Sequence, residues 1–276
     1  MGLALADAFR RAELADHITF CGRAEDPPGH PLFWEHGARY IWGLEAPERG
    51  TTAVFLSVPD HVLEEVAHAL AARGPAPGGC AVFHLSGSLA ADPLGPLHAQ
   101  GYSVGTFHPL QTVASPDDGA QRLFGCSYAL SGEPEALAVG QRLVAALDGK
   151  VLRVPASRRP LYHAAAVVAS NYLVVLMDTA ITILEDAGLG RSEAREAILP
   201  LARGTLENVA RLGTEQALTG PVARGDVETV EAHLRGLGED ERRLYGMLGA
   251  RALELAAHRL SPELHEEMEG VFDRVE

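Results

Sequence analysis

A change of period near residue 155 constrains this chain more than any other feature. Before it, short apolar runs alternate with amphipathic stretches. Residues 52–58 form a continuous apolar run closed by Pro59, and residues 80–85 a second one ended by Ser86-Gly87-Ser88. Such runs read as strands covered on both faces. Residues 102–107 stop at His108-Pro109, and 18–21, 127–130 and 151–154 are shorter β-prone runs. Residues 3–14, 62–72 and 133–147 carry apolar positions at helical spacing. After Pro155 the strand signals stop, and 161–187, 192–212, 227–237, 240–258 and 261–275 all read as helices, Ser192 being a plausible N-cap. The expected fold class is α/β: a mostly parallel sheet domain over residues 1–157, then an all-α domain over 158–276.

The balance of the chain excludes several classes. Its 276 residues are 47% hydrophobic and 22% charged, which rules out a disordered or fibrous chain. The net charge of −14 makes nucleic acid a poor partner. Three separated cysteines, Cys21, Cys80 and Cys126, read as thiols of a reducing cytosol, and no metal-site spacing occurs among the twelve histidines. The most apolar stretch, 164–184, is interrupted by Ser170, Asn171 and Asp178, so a buried helix is expected there and no membrane span. A cytoplasmic protein is expected.

Parallel sheets bind ligands beyond the carboxyl ends of their strands, where Arg23, Pro59-Asp60, Ser86-Gly87-Ser88 and His108 would gather. A dinucleotide-binding sheet opens with a strand and a G-x-G-x-x-G turn. This sequence opens on Met1-Gly2-Leu3, with Gly2 in the place of the third glycine. The reading is of a motif cut short, with a central strand and two glycines lost through a misassigned start; an ordinary N-terminal glycine is the alternative. Arg23 stands where an acidic residue would take the ribose hydroxyls of NAD. A guanidinium there suits a 2′-phosphate, so NADP is expected, with NAD as the alternative.

The blocks His84-Leu85-Ser86-Gly87-Ser88, His108-Pro109-Leu110-Gln111-Thr112, Tyr162-His163-Ala164-Ala165-Ala166 and the run from Ala217 to Asp226 occur in this order. With them the chain resembles a family of Rossmann-like oxidoreductases whose C-terminal helical domain has no assigned function. More distantly it resembles pyrroline-5-carboxylate reductases, prephenate dehydrogenases and ketopantoate reductases. The resemblance implies NAD(P) binding, a site between the two domains and a homodimer formed through the helical one. It suggests Gly2, Arg23, Ser57, Val58, Pro59 and Ser86 as cofactor contacts. It also suggests His108 as general acid or base, with Ser86 or Ser88 as its hydrogen-bonding companion.

His163, Ser170 and Asn171 fall on one face of a continuous helix, which makes His163 and Asn171 catalytic candidates and Ser170 a substrate contact. Contacts to buried backbone or to a dimer partner are the alternative for both. Thr219 and Arg224, with Ser88, are candidate substrate contacts; Arg159 or Arg224 would hold a carboxylate, and Asp226 would serve equally as a helix cap. The function expected is NAD(P)H-dependent reduction of a small carbonyl or imine carboxylic acid, ketopantoate-like or pyrroline-carboxylate-like. The alternative is a dinucleotide-binding regulatory or scaffold protein without turnover.

Overall fold

The apolar runs at 52–58, 80–85 and 102–107 each hold a strand; the first two stop two or three residues before the turn that closes them, and the third continues through His108-Pro109. In the computed structural model, which describes residues 1–275, the chain divides into two units, Met1–Ser170 and a second from Asn171 onward. The first runs α1 (Gly2–Arg11), β1 (Thr19–Gly22), a one-turn α2 (Pro31–Trp34), β2 (Arg39–Trp42), β3 (Ala53–Leu56) and α3 (Leu63–Ala71). It continues with β4 (Ala81–His84), a one-turn α4 (Gly95–His98), β5 (Ser103–Pro109), α5 (Pro116–Arg122), β6 (Ser127–Gly132), α6 (Pro134–Ala146), β7 (Lys150–Arg153) and α7 (Arg159–Ala169).

Five strands form one sheet in the order β3-β4-β5-β6-β7, parallel except for the β5–β6 pair. The antiparallel pair sets Gly105 opposite Gly132. Gly132 has φ +136, and a Cβ on it would lie 2.4 Å from the Val104 carbonyl oxygen, so only glycine fits this close approach. β1 and β2 form a separate parallel pair. Among the described residues no ladder joins β1 to β3.

β4 is buried along its whole length, as expected of a covered strand. β3 is only half-buried, because it lies at the edge of its sheet. The core beneath the sheet is a chain of rings: Phe55 stacks on Phe83 at 5.3 Å, Phe83 meets Phe107 at 5.8 Å, and Phe107 meets Tyr128 at 5.0 Å. Such pairs contribute about 0.5–1.5 kcal/mol each beyond their burial. α1 closes this core with Ala4, Leu5, Ala8 and Phe9, one face at helical spacing.

The second unit comprises α8 (Asn171–Asp186), α9 (Arg191–Ala217), a one-turn α10 (Pro221–Arg224), α11 (Val227–Gly236), α12 (Glu239–Ala256) and α13 (Pro262–Asp273). Val230, Leu234, Leu253, Met268, Val271 and Phe272 make its core. The fold class is therefore the expected one, a mostly parallel sheet followed by helices. The division after Ser170 comes later than the change of period near residue 155.

Three local expectations are corrected. The expected helix over 161–187 is interrupted at Ser170, whose φ −119 and ψ −66 end α7 before α8 begins. Its second half is not buried: α8 buries only Ile181 and leaves Tyr172, Val174 and Val175 exposed. By length and composition alone, residues 156–186 pass as a membrane span. The N-cap of α9 is Gly190, one residue before its first helical position, while the Ser192 hydroxyl bonds Glu196.

Candidate active site

The carboxyl ends of β3, β4 and β5 bring the polar residues of the first unit together. His84, the last residue of β4, is fully buried. Its Nδ1 accepts the Ser86 backbone N–H at 3.2 Å, which puts its proton on Nε2; Nε2 donates to the Ala90 carbonyl at 2.7 Å. Burial holds this imidazole below its ordinary pKa. A neutral His84 with both nitrogens engaged thus fixes the turn that follows it.

In that turn the Ser86 hydroxyl accepts the N–H groups of Ser88 and Leu89 at 3.2 and 3.1 Å. It donates to Asp60 Oδ2 at 2.8 Å, and Ser88 Oγ donates to the same oxygen at 3.0 Å. Asp60 follows Pro59 just beyond β3. One carboxylate thereby ties the ends of β3 and β4 together.

His108 projects from β5, and its Nδ1 lies 2.7 Å from the Tyr162 hydroxyl of α7, the two rings nearly perpendicular. The expected companion was Ser86 or Ser88. Both hydroxyls are instead held by Asp60. His163, next on α7, faces the same place: a Cβ on Gly87 would lie 2.5 Å from His163 Nδ1 and 2.8 Å from His108 Nε2. Two imidazole nitrogens therefore converge on the backbone of Gly87, and His163 Nδ1 is buried without a hydrogen-bond partner.

Behind them sits Arg159, the first residue of α7, with no exposed surface. Its guanidinium donates to the Ser86 carbonyl at 3.0 Å and to Ser131 Oγ at 3.3 Å. Its Nε has no partner, and no carboxylate among the described residues pairs with it. Burying an ion uncompensated costs several kcal/mol, so this is a demanding feature of the site. Being buried and committed, Arg159 is withdrawn from the expected grip on a substrate carboxylate.

The electrostatics follow from this arrangement. Burial, then the charge of Arg159 and the neighbouring His163, push His108 down to about 4, with Asp60 opposing. Burial pushes the Tyr162 phenol up to about 12, against the pull of Arg159. At neutral pH both side chains are uncharged.

Of the residues singled out from sequence, Ser86, Ser88, His108 and His163 come together here. Gly2 and Ser57 meet as well: a Cβ on Gly2 would fall 2.8 Å from Ser57 Oγ, so α1 starts against the end of β3, where Val58 and Pro59 follow. Arg23 is exposed just past β1. Ser170 and Asn171 are exposed where α7 gives way to α8. Thr219 and Arg224 are exposed in the second unit. There Asp226 caps α11, accepting the Thr229 N–H at 3.2 Å. Sequence reasoning set Asp60 and Gly87 at this edge without giving either a role, and it named Tyr162 only within the block that holds His163.

Fold and site together define a Rossmann-like sheet unit with a histidine–serine cluster at its carboxyl edge, followed by helices. Residues 126–252 match the family described as "Domain of unknown function (DUF2520)". Among solved structures, a Thermotoga maritima protein superposes with a TM-score of 0.69 at 24% identity, over 94% of this chain and 97% of that one. A provisional NADP oxidoreductase from Bacteroides fragilis gives 0.71 at 23%, over 91% and 93%. The Plasmodium falciparum pyrroline carboxylate reductase with NADP bound gives 0.59 at 11%, over 93% and 94%. No curated protein matches the sequence. The resemblance read from the sequence blocks is thus borne out in the fold, and the family match bears on residues 126–252.

Proposed function

We propose that the protein is an NADPH-dependent reductase of a small carbonyl or imine carboxylic acid. The observation that carries this reading is the convergence of His108 Nε2 and His163 Nδ1 on Gly87, at the carboxyl edge of a Rossmann-like sheet. The residues present fit a dinucleotide phosphate. α1 begins at Gly2 with no acidic residue in its first turn, and Gly2 approaches Ser57 closely enough to exclude a side chain. Arg23 is exposed and forms no ion pair among the described residues, which leaves it able to take a 2′-phosphate. Gly2, Ser57, Val58, Pro59 and Ser86 would line the nucleotide; when bound, it supplies a hydride to the substrate carbon. The chain supplies the proton, from His108, and keeps water from the pair through the buried turn at Gly87. Arg224, exposed in the second unit, is the remaining candidate for a substrate carboxylate.

We propose in addition a cytoplasmic homodimer, in which a second copy covers the exposed apolar face of α8 and α9. Asp178 of α8 pairs with Arg191 in an exposed ion pair, which suits water around that helix and not lipid. The test is direct titration with NADPH and NADH, followed by a panel of oxo acids and cyclic imines. Tight NADPH binding with NADPH oxidation by one panel member is expected. Binding without turnover on any of them would favour a dinucleotide-binding regulator, and no binding would overturn the reading.

A further inference from the structure

We propose that Tyr162 is the positioning residue of the proton-transfer step, fixing His108 as the tautomer whose Nε2 carries the proton and replacing that proton through Nδ1. This rests on the reductase reading above.

A neutral imidazole has one N–H, and which nitrogen carries it decides whether His108 can give a proton to anything beside Gly87. The answer lies in the 2.7 Å contact between Nδ1 and the Tyr162 hydroxyl. Were the phenol the acceptor, its own O–H would need another acceptor. Among the described residues Tyr162 makes no other hydrogen bond, and a half-buried hydroxyl left without an acceptor is destabilising. The phenol therefore donates to Nδ1, and the proton of His108 sits on Nε2. Among the described residues that nitrogen makes no hydrogen bond, and it lies against Gly87, as does the unpartnered His163 Nδ1.

The charge behind the pair sets the rest. Burial, and then the charge of Arg159, disfavour an imidazolium, so His108 gives its proton from the neutral form. As the substrate carbon takes the hydride, the electron pair of its C=O or C=N bond moves onto the heteroatom. The Nε2–H bond of His108 breaks and its proton joins that heteroatom. The O–H bond of Tyr162 breaks and its proton joins Nδ1, which leaves the imidazole neutral and the negative charge on the phenolate, within the field of Arg159. After release, water returns a proton to Nε2 and the Nδ1 proton goes back to the phenolate, which restores the starting tautomer. Asp60, His84 and His163 are the other titratable groups acting on His108.

Imidazole nitrogen NMR on the whole protein tests this without substrate, with His108→Gln giving the assignment. At pH 7 His108 is expected as the Nε2–H tautomer, and Tyr162→Phe is expected to turn it into a mixture. An Nδ1–H tautomer in the unaltered protein overturns the proposal whatever the substrate proves to be. Once a substrate is in hand, Tyr162→Phe should lower kcat at least tenfold with KM and NADPH affinity within twofold. Fluorotyrosine at position 162, a more acidic phenol, should shift the alkaline limb of the kcat profile downward. An unmoved limb and an unchanged kcat would also overturn it. Failure of every panel substrate would count against the reductase reading alone, since the tautomer measurement stands apart from it.

Discussion

Arg159 is a cation where water does not reach, and its effect is read at His108. A folded His108 takes a proton near pH 4, whereas an unfolded one does so near 6.5. Between those values the unfolded chain holds more protons, so stability is complete above about pH 6.5 and falls as pH drops toward 4. The loss attributable to this one group is on the order of 3 kcal/mol. Urea midpoints measured at pH 7 and pH 4.5 should therefore differ less in His108→Gln than in the unaltered protein. His84 is shifted in the same direction and contributes the slope that remains. Replacing Arg159 with Met removes the charge while keeping much of the volume. His108 should then titrate closer to its ordinary value by NMR. Stability should change by only about 1–2 kcal/mol, because the Ser86 carbonyl left without its donor offsets the relief of a buried ion, while the Ser131 hydroxyl keeps its bond to Thr106. An unmoved titration would show that burial alone depresses His108.

At the scale of elements, the site depends on turns more than on strands. Gly87 has no room for a side chain, and Gly87→Ala should push His108 and His163 apart. The expected cost is about 1–3 kcal/mol in stability, with loss of NADPH-dependent turnover, checked by urea denaturation beside the kinetic assay. Gly132→Ala meets backbone and not a movable ring, and it demands φ +136 of an alanine. It should cost more, at least about 2 kcal/mol, while leaving the His108 resonances in place. The strand ends that build the site were legible because proline, glycine and serine close them in sequence: Pro59, Ser86-Gly87 and His108-Pro109 each fall at or just past the end of a strand. β2 was not legible, since four residues, Arg39 to Trp42, carry no period of their own. Nor was the place of α7. Its attachment to the sheet unit is made by Arg159 reaching Ser86 and Ser131, 73 and 28 residues away, and no local pattern records such a contact. The His108–Tyr162 bond spans 54 residues and was hidden for the same reason.

At the scale of the molecule, the second unit presents exposed apolar side chains. Tyr172, Val174 and Val175 on α8 and Leu201 and Leu206 on α9 are each more than half exposed. Covering five such side chains recovers about 1.5–3 kcal/mol apiece, which is comparable to the 4–15 kcal/mol lost in bringing two copies together. A second copy is thus a marginal to favourable partner on these residues alone, and its charge opposes it. Each copy carries a net charge of −14, so the pair repels over distances that salt shortens to about 10 Å at 0.1 M. Two outcomes separate this arrangement from an uncovered monomer. Sedimentation at micromolar concentration should give a dimer whose dissociation constant rises at low ionic strength. Val174→Glu with Leu201→Glu should give a monomer of unchanged helix content. A unaltered chain that sediments as a monomer at every salt concentration would remove the dimer, and the apolar face of α8 would then require a different occupant.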